Sequence, residues 1–300
     1  MILLNAARMA PLPTNVNLTS LVANSSSPLY RSGSPSGGAG GAGTLLSRLT
    51  LSAGTVPSTG GWSFGSQLGG VVSCVNDGTN TYIRAQYPID PNMPDGGVYL
   101  WGAYTPSVAQ QDLYITIYAR MPTTYKYGMK FCKLFSEDFY SSNGSVAANT
   151  TFGLDYTGVD FGGMYCTSFG DGTTATNDTQ NIILFDGTSP SSAGRSYPST
   201  AVISTPQNSL WSHNNWGTTW HKFQLRARMN TTNGVTEVAD GAYQVIIDGV
   251  TYVNATGLFN RNKANGSIAS VNFLDYTKNN NTAFELHLRD ITISTGGWVD

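Results

Sequence analysis

The sequence predicts an all-β chain, a two-sheet antiparallel sandwich behind an extended low-complexity arm. Three observations predict it. Short segments alternate apolar and polar residues with period two. Gly, Asn, Asp and Pro punctuate the gaps between them, and no window holds helical spacing for long. Sixteen Tyr and twelve Phe add strand propensity. So many alternating strands in one chain point to a jelly roll.

The arm comes first. Residues 1–57 include "SSSPLYRSGSPSGGAGGAGTLL", rich in Gly, Ser and Pro. Such a stretch buries too little apolar surface to offset its ordering entropy. It is expected to dock on a neighbouring subunit or to act as a linker. The sandwich is expected over 58–300. In "TYIRAQYPI", Tyr82, Arg84 and Gln86 share one face, and Ile83, Ala85 and Tyr87 the other. "GGVYLWGAY", "QDLYITIYARM" and "KYGMKFCKLF" follow, then "NIILFDG". In "HKFQLRARM", His221, Phe223, Leu225, Ala227 and Met229 form the apolar face, opposite Lys222, Gln224, Arg226 and Arg228. "AYQVIIDGVTYV" is a hairpin whose Asp248-Gly249 pair tolerates the positive φ angles of a type I′ turn. After "SIASVNFLDYT", "AFELHLRDITIS" sets Phe284, Leu286 and Leu288 against Glu285, His287 and Arg289. No fixed-period repeat indicates a propeller or solenoid.

Composition narrows the function classes. Charged residues make up 11% of the chain, against roughly 25% in an average soluble protein. The net charge of -2 argues against nucleic acid, which selects a strongly basic surface. No apolar run approaches the roughly twenty residues of a membrane-spanning helix. The first residues lack the basic region and long apolar stretch of a secretory leader. Cys74, Cys132 and Cys166 have no metal-cluster spacing and read as structural thiols, with one disulfide left open.

The order "TTWHKFQLRARMNT", "DGAYQVIIDGVTYVN", "FNR", "FELHLRDITIS" resembles the concanavalin A-like lectin/glucanase jelly roll, in its laminin-G-like and polysaccharide-lyase-like branch. "GGWSF" and "GTNTYIRAQYP" resemble that domain's opening strands, and "GMKFCKLF" a central one. The resemblance spans about Gly60 to Ser294. It implies a concave sheet that binds glycans on its outer face. Carried onto this chain, it makes Arg84, Trp101, Trp216, Arg226, Arg228, His287 and Arg289 the candidate glycan-binding residues. No cofactor is expected, with calcium, common in that family, left open. Asp171, Asp178 and Asp186 occupy loop-rich sequence without EF-hand spacing.

Catalytic signals are weak. A glycosidase needs two flanking carboxyl groups, and the only glutamates are Glu137, Glu237 and Glu285. The related Glu-x-Asp-x-x-Glu strand pattern is absent, and "SEDF" reads as a turn. A lyase needs a cation for the uronate carboxylate and a Tyr, His or Lys for the α-proton. Arg84, Arg226, Arg228, His287 and Arg289 are placed to share a face with Tyr99 or Tyr127. The strand motifs of a major alginate lyase class, Arg-x-Glu-x-Arg and Gln-x-His, are absent. The competing reading is a solvated face of cross-strand ion pairs. Trp220 is expected in the core, and Trp216 in a loop.

Two expectations follow. The first is a non-enzymatic structural protein on the surface of a bacteriophage particle, a capsid decoration or appendage subunit. It would dock on other virion subunits through the arm, form a homo-oligomer, and touch polysaccharide with the jelly roll. The alternative is a secreted, extracellular polysaccharide lyase or glycosidase.

Overall fold

The computed structural model describes residues 43–299, apart from 68, 90–98, 123–128, 137–148, 157–161, 170–179, 182, 185–191, 194–216, 232–237, 239, 259–266 and 275–282. The described elements are all strands. They are β1 (Thr44–Arg48), β2 (Trp62–Gln67), β3 (Val71–Asn76), β4 (Thr81–Tyr87), β5 (Tyr99–Tyr104), β6 (Asp112–Arg120), β7 (Met129–Ser136), β8 (Asn149–Tyr156) and β9 (Gly162–Phe169). After them come β10 (Gln180–Asn181), β11 (Ile183–Leu184), β12 (Ser192–Ala193), β13 (His221–Arg228), β14 (Gly241–Ile247), β15 (Val250–Leu258), β16 (Ile268–Phe273) and β17 (Phe284–Thr295).

The larger sheet runs β15-β14-β13-β6-β17-β4-β3, with β1 beside β17 as its eighth strand. The smaller runs β11-β9-β8-β7-β16-β5-β2, and among the described residues β10 and β12 form a separate two-stranded pair. The two antiparallel sheets form the expected all-β sandwich. Ile83, Ala85, Ile115, Ile117, Phe223, Leu225, Val245 and Leu286 point inward from the larger sheet. They share one core with Leu100, Cys132, Leu134, Val271 and Phe273 of the smaller. The period-two assignments for β4, β13 and β17 hold because one face of each strand is removed from water. His221 departs from them. It is half-buried, and its ring Nδ1 lies 2.7 Å from Asp248 Oδ2. The β14–β15 turn therefore captures it before it reaches the core.

Three local features position the outer face. Asp248 (φ 50°) and Gly249 (φ 82°) make the tight β14–β15 turn. Asp290 (φ 48°) is an inserted residue where the β17–β6 register shifts between Arg289 and Thr292. That bulge resets the parity. Glu285, His287 and Arg289 lie outward before it, and Thr292 and Ser294 lie outward after it. β1 is the third feature. Thr44 pairs with Thr295 and Arg48 with Thr292, while Leu49 is buried in the core.

Within the stretch expected as arm, segment 44–51 packs with the sandwich, because Leu46, Leu49 and Leu51 supply apolar surface that the core takes in. Residues 1–42 of the expected arm lie outside the described residues. Cys74 and Cys132 are buried free thiols, and burial pushes both up from the ordinary thiol value. The Cys166 side chain lies outside the description.

Candidate functional site

The outward face of the larger sheet gathers the candidate residues row by row. Register places Ser73 opposite Arg84, Arg84 opposite His287, and His287 opposite Arg120. The next row pairs Arg289 with Tyr118 and Tyr118 with Lys222. In the row on the other side, Gln86 faces Glu285. Strands from distant parts of the chain thus bring three arginines, a histidine, a glutamate and a tyrosine together.

His287 is the pivot. Arg120 Nε donates to His287 Nδ1 at 3.0 Å, and His287 Nε2 lies 2.9 Å from Glu285 Oε2. An arginine N–H can only donate, so Nδ1 must accept and the ring proton sits on Nε2. Gln86 Nε2 donates to the other carboxylate oxygen, Oε1, at 2.8 Å. The Tyr82 ring stacks on the imidazole, with centroids 4.6 Å apart. The His287 side chain is only 5% exposed. Burial holds its pKa below the usual histidine value. The Glu285 hydrogen bond opposes that shift, and the Arg120 charge adds to it. Burial also pulls Glu285 upward, but hydrogen bonds from His287 and Gln86 outweigh it and leave the carboxyl below its usual range.

Arg120 is fixed on every side. Nη2 reaches Asp77 Oδ2 at 3.2 Å, and Nη1 reaches the Thr218 carbonyl at 3.5 Å. Its guanidinium lies 5.0 Å from the Tyr82 centroid and 4.5 Å from that of Trp220. Arg289 covers Trp220 at 4.7 Å and Tyr118 at 5.2 Å. Its Nη1 pairs with the exposed Asp290 at 3.0 Å. Trp220, expected in the core, is half-buried on the outer face, where two guanidiniums use its π-surface. It precedes β13 and shares the outward parity of Lys222 and Gln224.

The candidate arginines divide into two groups. Arg226 makes a two-point contact with Asp112, Nε to Oδ1 at 3.1 Å and Nη2 to Oδ2 at 2.8 Å, and covers the Tyr114 ring at 4.8 Å. Arg228 Nη2 pairs with Asp240 Oδ2 at 3.0 Å. These two read as the cross-strand ion pairs of a solvated face. Arg84 and Arg289 differ. The Nε of each is buried and meets no acceptor among the described residues, and the same holds for Trp220 Nε1.

Trp101 lies on β5 of the smaller sheet, opposite Gly65. It is not on this face, and its side chain lies outside the described residues. Trp216, Tyr127, Glu137 and Glu237 lie outside them too, and Tyr99 is also on β5. Arg120, Tyr118, Glu285 and Gln86 were not among the candidates. Their signal was parity: Tyr118 and Arg120 alternate with Ile117 and Ala119 in "QDLYITIYARM". Among the described residues, no cluster of three or more His, Cys, Asp or Glu could hold a metal ion. The aspartates considered for calcium, Asp171, Asp178 and Asp186, lie outside them. No helix among the described residues is long and apolar enough to cross a membrane.

No protein-family model matches the chain, and no curated protein matches it. Solved structures do. The alginate lyase vAL-1 from Chlorella virus matches with a TM-score of 0.53 at 13% identity, over 78% of this chain and 93% of that one. A marine PL-14 alginate lyase from Aplysia kurodai matches at 0.46 and 13%, over 83% and 98%. The cellulose-induced protein Cip1 matches at 0.43 and 14%, over 77% and 90%. At such identities the first likeness shows a shared jelly-roll sandwich, and fold alone does not carry function.

Proposed function

We propose that the outer face of the larger sheet binds an acidic, uronate-containing polysaccharide and cleaves it by β-elimination. One observation carries this reading. Arg84 and Arg289 are partly exposed beside the partly exposed Tyr118. Arg289 pairs with the exposed Asp290, a weakly held partner that an anion can replace, whereas Arg226 is held at two points by Asp112 and Arg228 by Asp240. A uronate carboxylate laid on this part of the face meets both guanidiniums. The lyase likeness of the fold supports the same direction.

In the elimination, a base removes the proton α to the carboxylate. The electrons form the C4–C5 double bond, and the C4–O glycosidic bond breaks with its oxygen taking a proton. Arg84 and Arg289 offset the charge that develops on the carboxylate. Tyr118, flanked in register by Arg289 and Lys222, takes the acid–base role. His287 does not reach substrate, because both ring nitrogens are engaged. It positions Arg120 and Glu285.

The test is incubation with alginate and other polyuronates, read by the ultraviolet absorbance of unsaturated products. Absorbance growth that is lost in Tyr118→Phe supports the reading. Tight binding without absorbance growth leaves a glycan-binding module, and neither binding nor cleavage overturns it. Assembly on a virus particle is a second proposal. The observation that favours it is the Gly-, Ser- and Pro-rich composition of the first forty-two residues, which suits docking on a neighbouring subunit. Co-sedimentation of the protein with particles from its native source tests it.

A further inference from the structure

We infer that the segment after β17, centred on Trp298, is one wall of the glycan groove and makes the saccharide run across the strands rather than along them. The inference rests on the reading of the face as an acidic-glycan site and adds the groove's boundary and direction.

Beyond the Asp290 bulge, the outward residues of β17 are Thr292 and Ser294, opposite Thr116 and Tyr114 of β6. These are polar positions on the same face as Arg289 and Tyr118, yet they are shut off from water. Ser294 is 1% exposed, Thr116 3% and Thr292 4%. What covers them is the chain itself. Gly296 takes a φ of 73° and turns the backbone back over its own strand. Ser294 Oγ then donates to the Gly297 carbonyl at 2.7 Å, and Thr292 Oγ1 to the Val299 carbonyl at 3.1 Å. The Trp298 ring stands edge-on to Tyr114, with centroids 5.0 Å apart at 86°. Tyr114 is clamped by Arg226, which Asp112 holds.

The turn is braced from β1 as well. A Cβ built on Gly43 would overlap the Gly297 carbonyl, so two backbones meet there with no room for a side chain. Hydroxyls of β17, the Tyr114 ring and the start of β1 therefore hold this segment in place. It closes the face over Thr292 and Ser294 of β17 and stands against Tyr114 of β6. Beside it a partly exposed strip crosses β4, β17, β6 and β13 through Arg84, Arg289, Tyr118 and Lys222. A saccharide along that strip meets the cations in succession. One laid parallel to β17 would run into the Trp298 wall.

The test combines two measurements on Trp298→Ala and on a chain lacking residues 298–300, each checked for folding by circular dichroism. First, Thr116→Cys is introduced into the full and shortened chains, and labelling of that thiol is followed by peptide mass spectrometry. The wall predicts slow labelling in the full chain and fast labelling in the shortened one; fast labelling in the full chain overturns it. Second, defined oligouronates are titrated and their products sized. Loss of the wall is expected to weaken short oligouronates roughly two- to tenfold, the scale of one aromatic contact, and to broaden product length. Unchanged affinity and product length, in a full chain that binds oligouronates, overturn the wall alone. A full chain that binds no polyuronate overturns the glycan reading, and the wall with it.

Discussion

Arg120 donates its Nε–H to Nδ1 of His287 at 3.0 Å, and this bond decides which proton the imidazole carries. An imidazolium would aim an N–H at another N–H. Burial and the neighbouring guanidinium charges therefore act together against protonation. The histidine that sequence marks as a candidate glycan ligand is the joint of a buried polar network, with Tyr82 stacked on it and Glu285 beneath its Nε2.

A pH dependence follows from that network. The folded pKa of His287 lies below its ordinary value of 6.5, so the unfolded chain takes up the proton first. The contribution is complete above about pH 6.5 and is lost as pH falls through the folded value. Glu285, also depressed, loses its contribution further into acid. Thermal midpoints measured from pH 7 to 4 should fall, and should fall less steeply in His287→Gln. Parallel curves for the two proteins would count against the network.

Binding and stability should separate between the two groups of arginines. Arg84→Ala and Arg289→Ala are expected to weaken polyuronate binding by roughly tenfold or more each, as removal of a charge-assisted contact does; melting stays close to the parent in Arg84→Ala and falls modestly in Arg289→Ala, which uncovers Trp220 and Tyr118. Arg226→Ala should instead cost about 1 kcal/mol of stability, because it strands the Asp112 carboxylate and uncovers Tyr114. Isothermal titration and denaturant midpoints on all three variants check this. The reverse pattern would move the site towards β13.

Truncation tests how much of the expected arm the sandwich needs. Removing residues 1–42 should leave the melting temperature of the sandwich unchanged. Removing 1–57 should lower it markedly, because β1 and the Leu49 side chain go with it. Loss of one buried leucine alone is worth about 2–5 kcal/mol. Equal midpoints for both truncations would show that β1 is dispensable.

Gly102 offers a test of the smaller sheet. It pairs directly with Phe64, and a Cβ there would overlap the Phe64 ring, which lies over the glycine. Gly102→Ala is expected to destabilise by about 1–3 kcal/mol through overpacking. The double variant Gly102→Ala, Phe64→Leu should recover part of that loss. Denaturant unfolding of both provides the comparison.

Alternation alone fixed much of this architecture. It assigned Ile83, Ala85 and Tyr87 to one face of β4 and Arg84 and Gln86 to the other, and likewise for Phe284 to Arg289. The Asp248-Gly249 turn was equally legible, because few residue pairs accept positive φ twice in succession. Each of these follows from interactions within a few residues along the chain.

What the tertiary structure decided is who stands beside whom. Parity puts Arg84, Arg226, Arg228 and Arg289 outward but cannot say that Asp112, 114 residues from Arg226, takes one of them and Asp240 another. It cannot say that His287 falls between Arg84 and Arg120, since that depends on β17 lying between β4 and β6. Nor can it foresee that one extra residue at Asp290 turns Thr292 and Ser294 outward, under the returning chain. A strand's own sequence determines its two faces. Sheet order and register, set by how two whole sheets bury a common core, determine which charges are paired and which remain to meet a ligand.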